Sequence, residues 1–308
     1  MESADSSPDL LAAYTATLET KALGTVDVYT RILRQFTAWL AERPGSSGTF
    51  QPDQLTVTAL DTYLKEREAR GVSISHRTRI KTVVGSFTRY LIEEQGVLRR
   101  NPARSVRVPP QPLYAPRVLE PDQRYVLRSL IERDGSPRSA AIFALGYWAG
   151  CRVSDIAWLR MEHTHVTRKA GWLHVGHKGG KARDIDLHND ARRPLADYLQ
   201  SGQRGTASPF VFTSQRAERL TEAGIHHWFR TLKAQATKAE WELIHDIAFH
   251  DLRHDFAHRA RTAGWSLEAV AFYLGHITRK GTPAIQTTVR YTQVSRDDIK
   301  RQLAALDG

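Results

Sequence analysis

Apolar residues in the first hundred positions recur at helical spacing. In TVDVYTRILRQFTAWLAE (25–42), Val28, Ile32, Phe36 and Trp39 or Leu40 fall on one face, which predicts an amphipathic helix. LTVTALDTYLKEREARG (55–71) repeats the pattern and ends on Gly71, a residue suited to close a helix. From Ser73 to Gln95, Ile80, Val83, Val84, Phe87 and Leu91 make one apolar stripe. Arg77, Lys81 and Arg89 are read as standing off that stripe on the same helix. With a weaker segment near 9–22, the expectation is a small four-helix bundle.

The period then changes. PPQPLYAPRV (109–118) holds four prolines in ten residues and has no usable period, so it reads as a linker between domains. SPRSAAIFALGYWAG (136–150) starts with Ser136 as N-cap and Pro137 in the first turn, and stops at Gly150. CRVSDIAWLR follows, with Ser154 placed to cap the next helix. Residues 163–188 alternate with period two around KGGK (178–181), where Gly179-Gly180 suits a tight hairpin. From about 190 the pattern is helical again. The fold class predicted is mainly α (α+β). It comprises a helical domain over 1–108, a linker over 109–118, and a mostly helical domain with a small antiparallel sheet over 119–308.

Charge narrows the partner. The 308-residue chain has 44 Lys and Arg against 33 Asp and Glu, a formal net charge of +11. Such a balance is the footprint of a polyanion partner. Residues 71–107 carry eight Arg or Lys against two Glu, whereas residues 1–20 carry four acids and no base. The competing reading of the basic helix face is an ordinary solvated surface. No run approaches the length of a membrane helix, the start MESADSSPDL does not read as a signal peptide, and Cys151 is the single cysteine. These features lead to the expectation of a cytoplasmic protein without membrane association.

Six residues in the second region hold polar groups where burial does not demand them: Arg152, Lys178, His250, Arg253, His276 and Tyr291. His250 and Arg253 lie one helical turn apart in HDLRH, so they share a face. Two guanidinium forks match the non-bridging oxygens of a phosphodiester. A lysine on a hairpin can protonate a leaving oxygen, a histidine can take or hold a proton, and a tyrosine can attack phosphorus. Together they have the parts for phosphoryl transfer without a metal or other cofactor.

In their order along the chain, these motifs resemble those of the tyrosine recombinase (phage integrase) family. The resemblance covers the helical first part, AGCRVSDIAWL, HKGGKARDIDL, HDLRHDFAH, YLGH and RYTQV. It includes site-specific recombinases of Xer type and resolvases of transposons and plasmids. It implies a core-binding (SAM-like) first domain and a catalytic second domain. By position, Tyr291 resembles the nucleophile, Arg152 and Arg253 the phosphate clamp, His250 the general base, Lys178 the general acid and His276 a second phosphate donor. Asp155 resembles the acid that supports the site. Arg77, Lys81 and Arg89 are candidate DNA contacts, with Lys181 and Arg183 as weaker ones. The implied partner is double-stranded DNA at a core site, bound as a dimer per site and a homotetramer on paired sites, with accessory DNA-bending proteins left open. The segment between His276 and Tyr291 is about six residues longer than usual in the family, with Lys280-Gly281 and Pro283 suggesting an added loop. In the tail, Ile299 and Leu303 share a helical face that docks on its own domain or on a neighbouring protomer.

Three other readings compete. Asp246, His250, His254 and His258 recur at helical spacing, as in a zinc hydrolase, but no Glu completes the usual motif and Arg253 sits among them. A DNA-binding protein that lost cleavage should lack at least one of the six groups. A type IB topoisomerase shares the chemistry but swivels one nicked strand.

Overall fold

A computed structural model describes residues 9–21, 23–46, 48–110, 117–176, 182–204, 208–214, 217–276, 278, 282, 284 and 288–289. The chain divides into two compact units, Met1–Pro112 and Leu113–Gly308. The expected linker spans this division, and its residues 111–116 lie outside the described residues.

The described part of the first unit folds into helices α1 (Leu10–Ala16), α2 (Leu23–Ala41), α3 (Val57–Ala69) and α4 (Ile74–Glu93). Ser73 caps α4 by accepting the His76 N–H at 3.3 Å, and Gly71 takes the left-handed conformation, φ +76°, that ends α3. The core is aromatic: Phe36 meets Tyr63 at 4.9 Å between ring centroids and Tyr14 meets Phe87 at 5.2 Å. The reading of Arg77 as an exposed cation is corrected. It is 6% exposed and ion-paired to Glu68 at 2.8 Å. The reason is helical geometry: Arg77 precedes Ile80 by three and Val84 by seven, so it shares their face. Lys81 is half-buried and Arg89 is exposed.

The second unit runs α5 (Pro121–Asp134), α6 (Pro137–Tyr147), α7 (Val153–Ala157), β1 (Thr164–Val166), β2 (Gly171–Val175), β3 (Arg183–Asp186), α8 (Asn189–Gln200), α9 (Glu222–Lys233), α10 (Lys238–Ile244), α11 (Phe249–Thr262) and α12 (Leu267–Leu274). Ser136 caps α6 through the Ser139 N–H as expected. That helix is apolar along its length, buries Ala141 through Tyr147, and packs against α8 and α11. The sheet is antiparallel in the order β1-β2-β3, with Leu173 opposite Ile185. The hairpin tip, residues 177–181, lies outside the described residues. Ser154 does not cap α7: Arg152 is the N-cap, and Asp155 in the first turn accepts its backbone N–H.

Helix α11 is anchored from two sides. Lys233, 4% exposed, donates to Ile244 O, His245 O and Ile247 O at 3.1, 2.8 and 2.6 Å, which fixes the turn before α11. The fully buried Asp255 accepts from Arg124, Arg259 and the Leu119 N–H. Among the described residues no helix is long and apolar enough to cross a membrane.

Candidate active site

The site is organised around the C-terminus of α12. A helix leaves its last carbonyls without partners inside the helix, and its dipole makes that end favourable for cations. Here three successive carbonyls each accept from a different arginine: Tyr273 O from Arg183 Nε at 2.6 Å, Leu274 O from Arg253 Nη2 at 2.5 Å, and Gly275 O from Arg152 Nη2 at 3.1 Å. Gly275 caps the helix at φ +66°, which turns its carbonyl toward Arg152.

Arg253 is 1% exposed and reaches from the buried face of α11. Its Nη1 donates to Gly150 O at 2.5 Å and its Nη2 meets His276 Nε2 at 3.1 Å. Gly150 has φ +58°, and a Cβ there would stand 2.6 Å from Phe256, so only glycine fits. Because arginine can only donate, His276 Nε2 is placed to accept from it, while Nδ1 faces Thr288 Oγ1 at 3.1 Å. Next to Gly150 lies Cys151, whose thiol burial pushes up to about 12, with Asp155 adding to the shift. It is no rival nucleophile. Nor is the Tyr273 phenol, which burial holds above its usual range and which donates to Asp186 O at 2.9 Å.

Arg152 is partly exposed, its side chain at 29%. Asp155 Oδ2 accepts the Arg152 N–H at 3.1 Å and Arg183 Nη2 at 3.2 Å. Arg183 as a DNA-backbone contact is therefore corrected: it is 8% exposed and committed to Asp155 and Tyr273 O. Strand alternation is the cause, since Arg183 points inward with Ile185 while Asp184 and Asp186 face out.

His250 sits in the first turn of α11. Desolvation by the surrounding protein, then the charges of Arg253, Arg152 and His226, lower its pKa to about 4. It is thus neutral at physiological pH and able to accept a proton. Its ring meets that of His254 edge-on at 4.5 Å, and among the described residues no group of His, Cys, Asp or Glu is arranged to hold a metal ion.

The structure thus brings Arg152, Arg253, His276 and Asp155 together, with His250 within reach of the charges of both arginines. Lys178, Lys181, Tyr291 and the tail with Ile299 and Leu303 lie outside the described residues. Of the long segment after His276, the described residues make two backbone contacts. Thr278 N–H donates to Thr282 O at 2.8 Å and Ala284 N–H to His276 O at 2.6 Å. Thr288 then stands beside the His276 ring, three residues before Tyr291. Sequence reasoning missed Thr288 and the structural part of Arg183; for the second, the alternation of RDIDL was the available signal.

Comparison with known proteins agrees with this arrangement. Residues 117–297 match the phage integrase family. The chain is 31% identical over 281 residues to tyrosine recombinase XerC of Pelobacter propionicus, covering 89% of this chain and 85% of that one. To XerC of Neisseria gonorrhoeae it is 27% identical over 286 residues, covering 92% and 89%. Its fold is similar to that of the Tn1549 transposon integrase in complex with transposon right end DNA, at TM-score 0.74 and 16% identity over 97% and 98% of the two chains. It is also similar to the XerH site-specific recombinase bound to difH substrate, at TM-score 0.69 and 16% identity over 95% and 83%. The chain belongs to the phage integrase family, the tyrosine-type site-specific DNA recombinases.

Proposed function

We propose that the chain cleaves and rejoins DNA at a specific core site through a 3′-phosphotyrosyl intermediate formed by Tyr291. The observation that carries this reading is the cluster of Arg152, Arg253 and His276 at the α12 terminus, which brings Arg152 to two residues more than a hundred positions further along the chain. Its two guanidinium groups suit the two non-bridging oxygens of one phosphodiester. The tyrosine oxygen attacks phosphorus, the bond to the 5′-oxygen breaks, and that oxygen leaves as a hydroxyl after taking a proton. Lys178 is assigned the delivery of that proton, and neutral His250 the acceptance of the proton from Tyr291. The arginines offset the charge that builds on the phosphorane, the kind of stabilisation that usually contributes most to catalysis. The ester conserves the energy of the broken bond, so attack by a second 5′-hydroxyl rejoins strands through a Holliday junction without ATP.

The Asp155 carboxylate holds Arg152 from behind. His276 supports Arg253 and is assigned the second donation to the phosphate. In the first unit, Lys81 and Arg89 are the assigned backbone contacts, with Arg89 beside Thr82, Ser86 and Arg104 in a groove whose lining holds no carboxylate. Strand exchange between two sites calls for a dimer on each and a tetramer overall.

The test is a plasmid bearing two copies of the DNA that flanks the gene, incubated in EDTA. Recombinant products from wild type, and none from Tyr291→Phe, are expected. Relaxation of any supercoiled plasmid regardless of sequence would reassign the chain to the swivelling topoisomerases.

A further inference from the structure

We infer that Arg183 is a positioning residue for the phosphate clamp: a buried strut that locks the β3 strand, Asp155 and the end of α12 into one rigid seat for Arg152 and His276. This rests on the recombinase reading above.

Arg183 and Arg253 are both buried, but of these two Arg183 alone joins the Asp155 carboxylate to the end of α12. Its residue is 8% exposed, whereas the Arg152 side chain is 29% exposed. Its Nε occupies Tyr273 O and its Nη2 occupies Asp155, the same carboxylate oxygen that receives the Arg152 backbone N–H. Among the described residues its Nη1 has no hydrogen-bond partner, and it lies against Gly275, where an added Cβ would come within 2.9 Å. Gly275 in turn supplies the carbonyl that orients Arg152 and precedes His276. One guanidinium therefore touches both residues that set the direction of Arg152, one through its backbone and one through its side chain. It also ties them to the strand that leaves the hairpin bearing Lys178.

A planar fork is needed because the two receptors lie on different elements and accept from adjacent nitrogens; a lysine ammonium can reach one but not both in this geometry. Removal of the fork leaves Asp155 with a buried charge and Tyr273 O without its donor, and the clamp loses its fixed aim. Misplacement of a group by about 1 Å is enough to cost on the order of 10²-fold in rate.

The experiment uses the full chain and the nicked flanking duplex on which wild type forms its covalent adduct. Arg183→Met and Arg183→Lys are compared with wild type on that duplex and on one carrying a methylphosphonate at the cleaved linkage. The methyl group removes the oxygen charge that the clamp offsets, so errors in clamp position matter less there. The expected result for Arg183→Met is an adduct rate about 10²-fold lower on phosphodiester DNA, and within about 10-fold of wild type on methylphosphonate. Arg183→Lys falls between. The slope of log binding constant against log salt stays that of wild type, which also shows that the variants are folded. Equal losses on both duplexes would overturn the inference in favour of a general folding defect. A salt slope reduced by about one would return Arg183 to DNA contact. If wild type forms no adduct, the recombinase reading itself fails, a separate outcome.

Discussion

Arg77 in the first unit and Arg253 in the second both stand on the apolar stripe of a helix, and their surroundings treat them in opposite ways. Arg77 meets the Glu68 carboxylate at 2.8 Å, so its charge is cancelled where it stands. The described partners of Arg253 include two carbonyls and an imidazole, which occupy its two Nη nitrogens and carry no carboxylate charge. Dipoles and helix ends hold a cation ready for an anion; a carboxylate uses it up. The lesson is that burial of an arginine says little by itself, and the identity of its acceptors says what the arginine is for.

The largest expected effect breaks the comparison directly. Arg253→Met should lower single-turnover adduct formation by about 10³-fold, the scale for removing a donor aimed at developing charge. Arg77→Met should leave that rate unchanged and reduce stability to urea by about 1 kcal/mol, because Glu68 is 54% exposed and is rehydrated when its partner goes.

Two glycines sharpen the same contrast. Gly71→Ala and Gly275→Ala both force a side chain into the left-handed region, at about 1–2 kcal/mol each. Nothing lies within 4 Å of the new Cβ at position 71, whereas Arg183 lies within 2.9 Å at 275. Both variants should lose stability in a denaturant titration, and Gly275→Ala alone should also lose cleavage rate.

Acid behaviour should follow the second unit only. His250 and His254 are each lowered to about 4, both chiefly by desolvation. Since the folded protein holds them neutral, the unfolded chain binds protons first as pH falls. Their contribution to stability is therefore intact above about pH 6.5 and is lost progressively down to about pH 4. A pH–rate profile of adduct formation should keep its plateau below pH 6.5, with the acid limb of His250 near 4. An acid limb at 6.5 would show that His250 is not the base or is not desolvated.

The smallest effect concerns the first unit's surface. Lys81→Ala and Arg89→Ala should each reduce the salt slope of DNA binding by about one, with little change in cleavage at saturating protein. Arg77→Met should not change that slope, as its charge is already paired.

Local signals in the sequence were enough for much of this. Gly71 and Ser136 mark helix ends because capping involves only neighbours within a turn, and the β2–β3 hairpin followed from alternation. The motif residues Arg152, Arg253 and His276 were recognisable as a set. What escaped was the acceptor side of each arginine, because Tyr273 O, Leu274 O and Gly275 O are backbone atoms with no signature in residue type. Arg77 and Arg183 were misread for a simpler reason: charge was allowed to outweigh position, although helical spacing from Ile80 and strand alternation with Ile185 both placed them inside. The contact of Thr288 with the His276 ring, and that of the Ala284 N–H with His276 O, follow from no periodicity in the sequence.

The most direct measurement is a covalent trap. Nicked suicide duplexes cut from the DNA flanking the gene are incubated in EDTA with wild type and with Tyr291→Phe, and the products are run on a denaturing gel. A shifted protein–DNA band from wild type alone is the expected result. Tight binding to one of the fragments with no covalent band on any of them would mean that the arginine cluster grips phosphate in a protein that does not cut.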